Sequence, residues 1–526
     1  MSDVLARTSG DAPAPGAGER LKANHTSPEA VARIRRRYRN EAIFKALGLA
    51  AIGIASLFLI ALTLNILRTG LPAFWQHSLA VSVTPKAGDI DPANVRGADY
   101  GKIARTALQT LLPEASGKAE KKALKALLST GAADGLRDKL AADPALIGKD
   151  VPASLLLSAD ADLYLKGDGG LIAWRPGAGV ATPSGTNGEI TINLPTENFP
   201  GGAPALGDKN PSMLVSLNGG LAKILKLDGA NAKALVLQPL TAATPANAGV
   251  WQVVTYATPE SERRLTDQQV TWLESLRARG LIQTHFNTLF FTSGDSREPE
   301  LAGIRGALIG TLLTLFVTLS LCLPIGVLAA IYLEEFAPTN RWTELIEINI
   351  NNLAAVPSIV FGLFGLAVFL NFIGMPRSAP LVGGIVLSLL VLPTIIIASR
   401  AALKSVPPSI KDAALGVGAS AQQAVFHHVL PLAMPGILTG TIIGVARALG
   451  ETAPLLMIGM VAFVVDIPRS LSDAATVLPV QVYLWSDLPE RAFMAKTAAA
   501  SIVLLVVLFL LNGVAIVLRR RFERRW

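Results

Sequence analysis

Arg447 and Glu451 are the residues best placed to do chemistry, because they stand four apart inside an apolar run from Ile437 to Val465. On a helix that spacing puts both side chains on one face. Charges at such depth are costly, and those that persist face a pathway or each other. In one reading Arg447 meets a passing anion, with a planar fork of donors that suits phosphate, and Glu451 holds or releases it. In the other, the two form a buried ion pair that only sets helix register. Gly450, Pro454 and Pro357 are placed to break helices beside a cavity, although such residues also serve packing.

A second constellation lies in the polar stretch 400–436. It reads Ser409-Ile410-Lys411-Asp412-Ala413-Ala414-Leu415-Gly416-Val417-Gly418-Ala419-Ser420-Ala421-Gln422-Gln423. Ser409 with Asp412 reads as one capping box, after Pro407 and Pro408, and Ser420 with Gln423 as another. These signals predict two short helices joined by a glycine turn, with a small Ala and Gly surface that lets another protein approach. Pro431 limits helix beyond Leu430. Arg400 reads as an interfacial anchor, and His427 and His428 as exposed or packing residues. The chain has no Gly-x4-Gly-Lys-Ser/Thr loop to hydrolyse ATP, no His, Cys or carboxylate cluster with metal spacing, and one cysteine, Cys322.

The elements that must carry these residues are mostly apolar. Of 526 residues, 51% are apolar and only 16% charged, against roughly a quarter charged in soluble domains. Six runs are long enough to span a bilayer core of about 30 Å: Ala46–Leu67, Arg305–Leu333, Asn351–Phe372, Leu381–Ser399, Ile437–Val465 and Lys496–Leu518. The net charge of +8 gathers beside them, in Arg33, Arg35, Arg36, Arg37 and Arg39 before the first run and Arg519, Arg520, Arg521, Arg524 and Arg525 after the last. That pattern reads as topology, with both ends cytoplasmic, rather than as nucleic-acid binding. The acids Glu334, Glu335, Glu344 and Glu347 between the second and third runs are an exception to it.

Residues 1–40 read as a disordered cytoplasmic tail. Residues 68–300 regain charge and alternate like half-buried strands at Ile190–Leu194 and Met213–Leu217, with a turn signal at Asn218-Gly219-Gly220. Another strand is expected over Gly249–Tyr256. Thr266 with Gln269 caps a helix presenting Val270, Leu273 and Leu276 and stopping near Gly280. This is an α+β domain, periplasmic if one crossing precedes it.

The 409–431 segment resembles the coupling loop of ABC importer permeases. Asp412-Ala413-Ala414, Gly418 and the ending Leu430-Pro431 fall at the spacing of that pattern, with Asp412 for the usual Glu and His428 where an Ile is expected. Asn351–Gly362 and Ala446–Pro454 resemble the phosphate-specific permease of the PstA type. The resemblance covers about Thr292 to the C-terminus. It implies a six-helix type I importer permease in the bacterial inner membrane, with a five-helix core over 301–526 and an inserted periplasmic domain. It also implies a second related permease, a cytosolic ATPase dimer that uses ATP and Mg, and a periplasmic phosphate-binding protein. The permease itself would hold no cofactor and catalyse nothing. An ion-driven secondary anion transporter and a membrane-anchored sensor are the alternatives.

Overall fold

The computed structural model describes residues 28–522, less 87, 92–93, 169, 196–197, 199–203, 242–250 and 462. Helix α1 (Pro28–Gly70) carries the first apolar run but starts well before Ala46. Residues 28–40, expected as tail, are helical, while 1–27 lie outside the described residues. The reason is local. After Pro28, which suits a first helical position, the segment has no further Gly or Pro before Gly48 and is rich in Ala and Arg. Every side chain from Val31 to Leu62 is exposed.

From Leu67 onward the chain forms one compact unit. Its inserted domain opens with strand β1 (Trp75–Val83), then helices α2 (Tyr100–Leu111), α3 (Lys118–Lys125) and α4 (Asp134–Ala142), β2 (Val151–Leu156) and α5 (Ala159–Leu163). Seven strands follow: β3 (Ile172–Pro176), β4 (Thr182–Pro183), β5 (Glu189–Asn193), β6 (Ser212–Leu217), β7 (Gly220–Asp228), β8 (Asn231–Gln238) and β9 (Trp251–Tyr256). They form one antiparallel sheet in the order β3-β9-β6-β7-β8-β5-β4. The turn at Asn218-Gly219 has positive φ at both residues, 49° and 73°, as a two-residue hairpin of matching twist requires. Alternation divides the sheet's apolar residues between two cores. Val215, Leu217 and Val253 pack with Ile192 and Ala222 on one face. Leu214, Val254 and Tyr256 join Leu79, Leu108 and Trp272 on the other.

Helix α6 (Asp267–Ala278) starts at the Thr266–Gln269 capping box and buries Val270, Leu273 and Leu276. Strand β10 (Ile282–Phe286) then pairs with β1, Trp75 opposite Phe286. The chain thus leaves α1 and returns towards the membrane helices on neighbouring strands. The rings of Trp75 and Phe286 sit 6.2 Å apart and both are about half exposed.

After α7 (Thr288–Thr292) come α8 (Arg305–Ile331), α9 (Arg341–Ala354), α10 (Ser358–Phe364), α11 (Pro380–Lys404), α12 (Pro408–Gly416), α13 (Ala421–Ala424), α14 (Leu430–Gly450), α15 (Ala453–Met457), α16 (Leu478–Ser486) and α17 (Arg491–Phe522). Among the described residues, five helical segments are long and apolar enough to cross a membrane, or six if a bent pair counts as one. The bend replaces the expected continuous third span. Residues 341–354 and 358–372 meet at 102° around Pro357, whose ring and missing N–H stop the first helix.

The fifth run is also not a continuous span to Val465. Helix α14 ends at Gly450, and Glu451 is extended at φ −78°, ψ 121°. Pro454 lies in the first turn of the short α15, where its missing N–H costs nothing. Pro431, expected to limit helix, instead lies within one. α13, a wide turn over Val425–Val429 and α14 run on as a single helix from Ala421 to Gly450, and the wide turn before Pro431 accommodates its missing N–H. Helices α11 and α14 meet through Gly436, Gly440 and Gly444, whose absent side chains leave room for Ala402, Ala398 and Val391. A Cβ at Gly440 would lie 2.2 Å from that of Ala398. This is the small-residue packing that lets membrane helices approach without a hydrophobic drive.

Candidate functional site

Arg447 occupies the last turn of α14, and Glu451 is the residue that closes it. Their nearest charged atoms, Nε and Oε1, are 3.6 Å apart, with the side chains 36% and 20% exposed. The spacing therefore brings the two together, but Glu451 is off the helix and the pair does not bridge a continuous turn. The adjacent Ala448 and Leu449 turn the other way, into the core. The helices that follow the breaks at Pro357 and Gly450 pack closely: a Cβ on Gly362 of α10 would lie 2.7 Å from the Cα of Pro454 in α15. A cavity beside them, lined by Thr311, Thr314, Leu315, Leu387, Leu449 and Leu455, holds about 10 Å³. That is room for one water at most.

In the polar segment, α12 starts at Pro408 with Pro407 as its N-cap, so Ser409 and Asp412 do not form a capping box. Proline at the first position fixes the helical φ and draws Ser409 into the first turn. The helix closes with a Schellman motif. Ala419 N–H donates to Ala414 O and Gly418 N–H to Leu415 O, with Gly418 at φ 93°. Ser420 and Gln423 do form their reciprocal box, at 3.2 and 2.9 Å. Asp412, Ala413 and Gly418 are exposed and Val417 is 87% exposed, while Ala414 is buried. His428 is exposed. Val425 and Val429 bury instead, against Ile331, Leu333 and Val406, so the second short helix is anchored without the expected Ile. Leu430 and Pro431 begin α14.

Sequence reasoning missed how the acids at the end of α8 are used. Arg400 reaches Glu334 at 3.3 Å and Glu347 at 2.7 Å, Lys404 reaches Glu334 at 3.5 Å, and Lys411 meets Glu335 at 2.6 Å. The signal was present as acids after one span and bases after a later one. Only the fold pairs them. Lys496 was missed as well. Its ammonium is buried at the start of α17, donates to Ala302 O at 3.0 Å and stands 4.9 Å from the Phe290 ring centroid.

The inserted domain holds its own charges more deeply. Arg263 and Asp267 pair with side chains 5% and 2% exposed, and Lys223 reaches both Asp267 and Glu260. Burial alone would raise the Asp267 pKa, but hydrogen bonds from Lys223 and Arg263 outweigh it and hold the carboxyl below its ordinary range. Asp162 behaves likewise: burial opposes its charge, and His77 and Lys166 overcome that. A cavity of about 220 Å³ beside this network is lined by Arg263, Arg264 and Arg491 but also by Asp160, Asp168 and Glu262. Its charges balance, so it offers an anion no net attraction.

The family model described as "Binding-protein-dependent transport system inner membrane component" matches residues 322–526, and one for a domain of unknown function matches 31–171. The latter stops where β3 begins. "Phosphate transport system permease protein PstA 1" of Mycobacterium tuberculosis is 32% identical over 228 residues, 43% of this chain and 74% of that protein. A "Probable ABC transporter permease protein YqgI" of Bacillus subtilis is 35% identical over 178 residues, 34% of this chain and 59% of that protein. More weakly, a chain of the MetNI methionine ABC transporter is 18% identical with a TM-score of 0.33, covering 42% of this chain and 96% of that one. The chain belongs to the permease subunits of binding-protein-dependent ABC transport systems and, within them, to the PstA type. Such a permease is a non-catalytic membrane subunit, with the ATPase a separate one. The secondary-transporter and sensor alternatives are not favoured.

Proposed function

We propose that this chain forms half of the translocation pathway of an ATP-driven phosphate importer in the bacterial inner membrane. The observation that carries the reading is the α12–Gly418–α13 hairpin, which turns Asp412, Ala413 and Val417 outward on a chain of the ABC permease family. An ATPase dimer using ATP and Mg docks there, and a periplasmic binding protein delivers phosphate, the substrate in the names of the PstA relatives. A second, related permease supplies the other half of the path. Two features support a path on an outer face shared with it: the half-exposed Arg447 and the small size of the neighbouring cavity. Arg447 meets the anion, and Glu451 competes for the same guanidinium.

In this reading residues 75–286 are periplasmic, and the hairpin and both termini are cytoplasmic. The exposed Trp75 and Phe286 support it, because aromatic rings collect at the membrane surface where a chain leaves and returns. After Cys322→Ala, an impermeant maleimide added outside should label Ala230→Cys and spare Ser420→Cys. The reverse pattern would overturn the topology. The function itself is tested by reconstituting the complex in liposomes and measuring ATP-dependent uptake of inorganic phosphate. Uptake driven equally well without the ATPase would remove this chain from ATP-driven import.

A further inference from the structure

The hairpin is held to the membrane helices by little. On α12, Ala414 is buried and Ile410 packs against the core around Val406 and Val429. Most of the remainder faces outward. The one ion pair the described residues make from α12 is Lys411 to Glu335, Nζ to Oε2 at 2.6 Å, with Glu335 only 10% exposed. Glu335 lies in the turn Tyr332–Phe336 that continues α8. Glu334 beside it binds Arg400 and Lys404 at the end of α11, and Arg400 binds Glu347 on α9. Two groups of ion pairs therefore meet after α8. Glu335 holds Lys411 of α12, and the adjacent Glu334 holds α11 and, through Arg400, α9, the two groups being joined by the backbone between Glu334 and Glu335.

An apolar contact is non-directional and can slide, whereas a charge-assisted hydrogen bond is made to one partner and is lost when that partner moves out of reach. A push on the exposed face of α12 reaches α11 through the three residues that join them. It can reach α8 without slippage through Lys411–Glu335. We propose that this pair is the tether that makes α8 follow the hairpin, so that Lys411 and Glu335 are positioning residues linking ATP hydrolysis to transport. The inference rests on the hairpin being the ATPase contact.

The test uses the full complex of this chain, the second permease, the ATPase and the binding protein in liposomes. ATP hydrolysed and inorganic phosphate taken up are measured together. Lys411→Met keeps the stem without the charge, and Glu335→Gln keeps the shape of the acid. Each should assemble, keep hydrolysing ATP and take up less phosphate, so that the ratio of ATP hydrolysed to phosphate taken up rises above that of wild type. The charge reversal Lys411→Glu with Glu335→Lys should bring that ratio back towards the wild-type value. A wild-type ratio in the single variants, or hydrolysis and uptake falling in step, would overturn the tether. So would a reversal that assembles but stays uncoupled. If the single variants do not assemble, the reversal alone decides. Wild-type complex that takes up phosphate without spending ATP would instead overturn the function proposed above, and the tether with it.

Discussion

Arg263–Asp267 and Arg447–Glu451 share a spacing of four residues and have opposite surroundings. In the inserted domain both side chains are nearly sealed, Asp267 takes a second cation from Lys223 at 2.7 Å, and Arg263 lies 5.3 Å from the centre of the Tyr256 ring. In the membrane region the partners are 3.6 Å apart at a helix break and partly open. A sealed network is committed to its own partners, and losing one strands the others. An open pair leaves donors free for something else. Equal spacing thus says that two charges can meet, and burial says whether the meeting is their whole purpose.

The comparison can be broken in order of expected effect on stability. Asp267→Ala strands Arg263 and leaves Lys223 with Glu260 alone, and should cost about 3–5 kcal/mol in denaturant unfolding of the inserted domain within the whole chain. A wild-type midpoint would make the sealed network dispensable. Acid probes the same site. Asp267 and Asp162 have depressed pKa values, so their stabilisation is present above the unfolded carboxylate range and lost as pH falls through the folded values. In melting of the domain, the loss from these two carboxylates should begin at about pH 4 and deepen below it, while His285, lowered by burial, adds a loss that begins at about pH 6.5. Glu300, raised by burial, works the other way and in a higher window. Its buried charge costs stability near neutral pH, and that cost is relieved as pH falls through its folded value, before the loss from Asp267 and Asp162 sets in. In Asp267→Ala the acid drop should shrink, and an undiminished drop would move its origin elsewhere.

Gly418→Val puts a branched residue at φ 93°, a strain of roughly 1–2 kcal/mol confined to the hairpin. Phosphate uptake and phosphate-stimulated ATP hydrolysis should fall together. A variant that binds the ATPase and transports at the wild-type rate would make the segment a mere connector. Arg447→Ala should abolish uptake with the complex still assembled, and should disturb stability less than Asp267→Ala does, because the pair is more open than the sealed one. Arg447→Lys should not restore it, because a point charge lacks the fork. Normal uptake would take Arg447 off the path, and failed assembly would class it with Arg263. Smallest is Asp412→Ala. The residue is exposed and caps nothing, so the unfolding midpoint should stay put while co-purification of the ATPase weakens. A lowered midpoint would return Asp412 to a structural role.

Local chemistry was legible wherever a few neighbouring residues decide the outcome. The caps at Thr266–Gln269 and Ser420–Gln423 and the turn at Asn218-Gly219 are read from three or four residues each, and the structure has all three. The box at Ser409–Asp412 failed because two prolines outbid it for the start of α12. Proline was misread at Pro431 because a wide helical turn over Val425–Val429 just before it takes up the lost hydrogen bond, and the helix continues.

Composition and spacing by themselves determined that apolar helices bracket an α+β insertion, that Arg447 and Glu451 can meet, and that a glycine turn follows Asp412-Ala413-Ala414. These follow from hydropathy and local torsion, which need no distant partner. Only the tertiary structure decided that the fifth run breaks at Gly450, that Glu334 and Glu335 are held by Arg400, Lys404 and Lys411, and that Lys496 is sealed under Phe290. The energy of a charge depends on what the fold brings within a few ångströms of it, and those neighbours come from segments up to some 200 residues away.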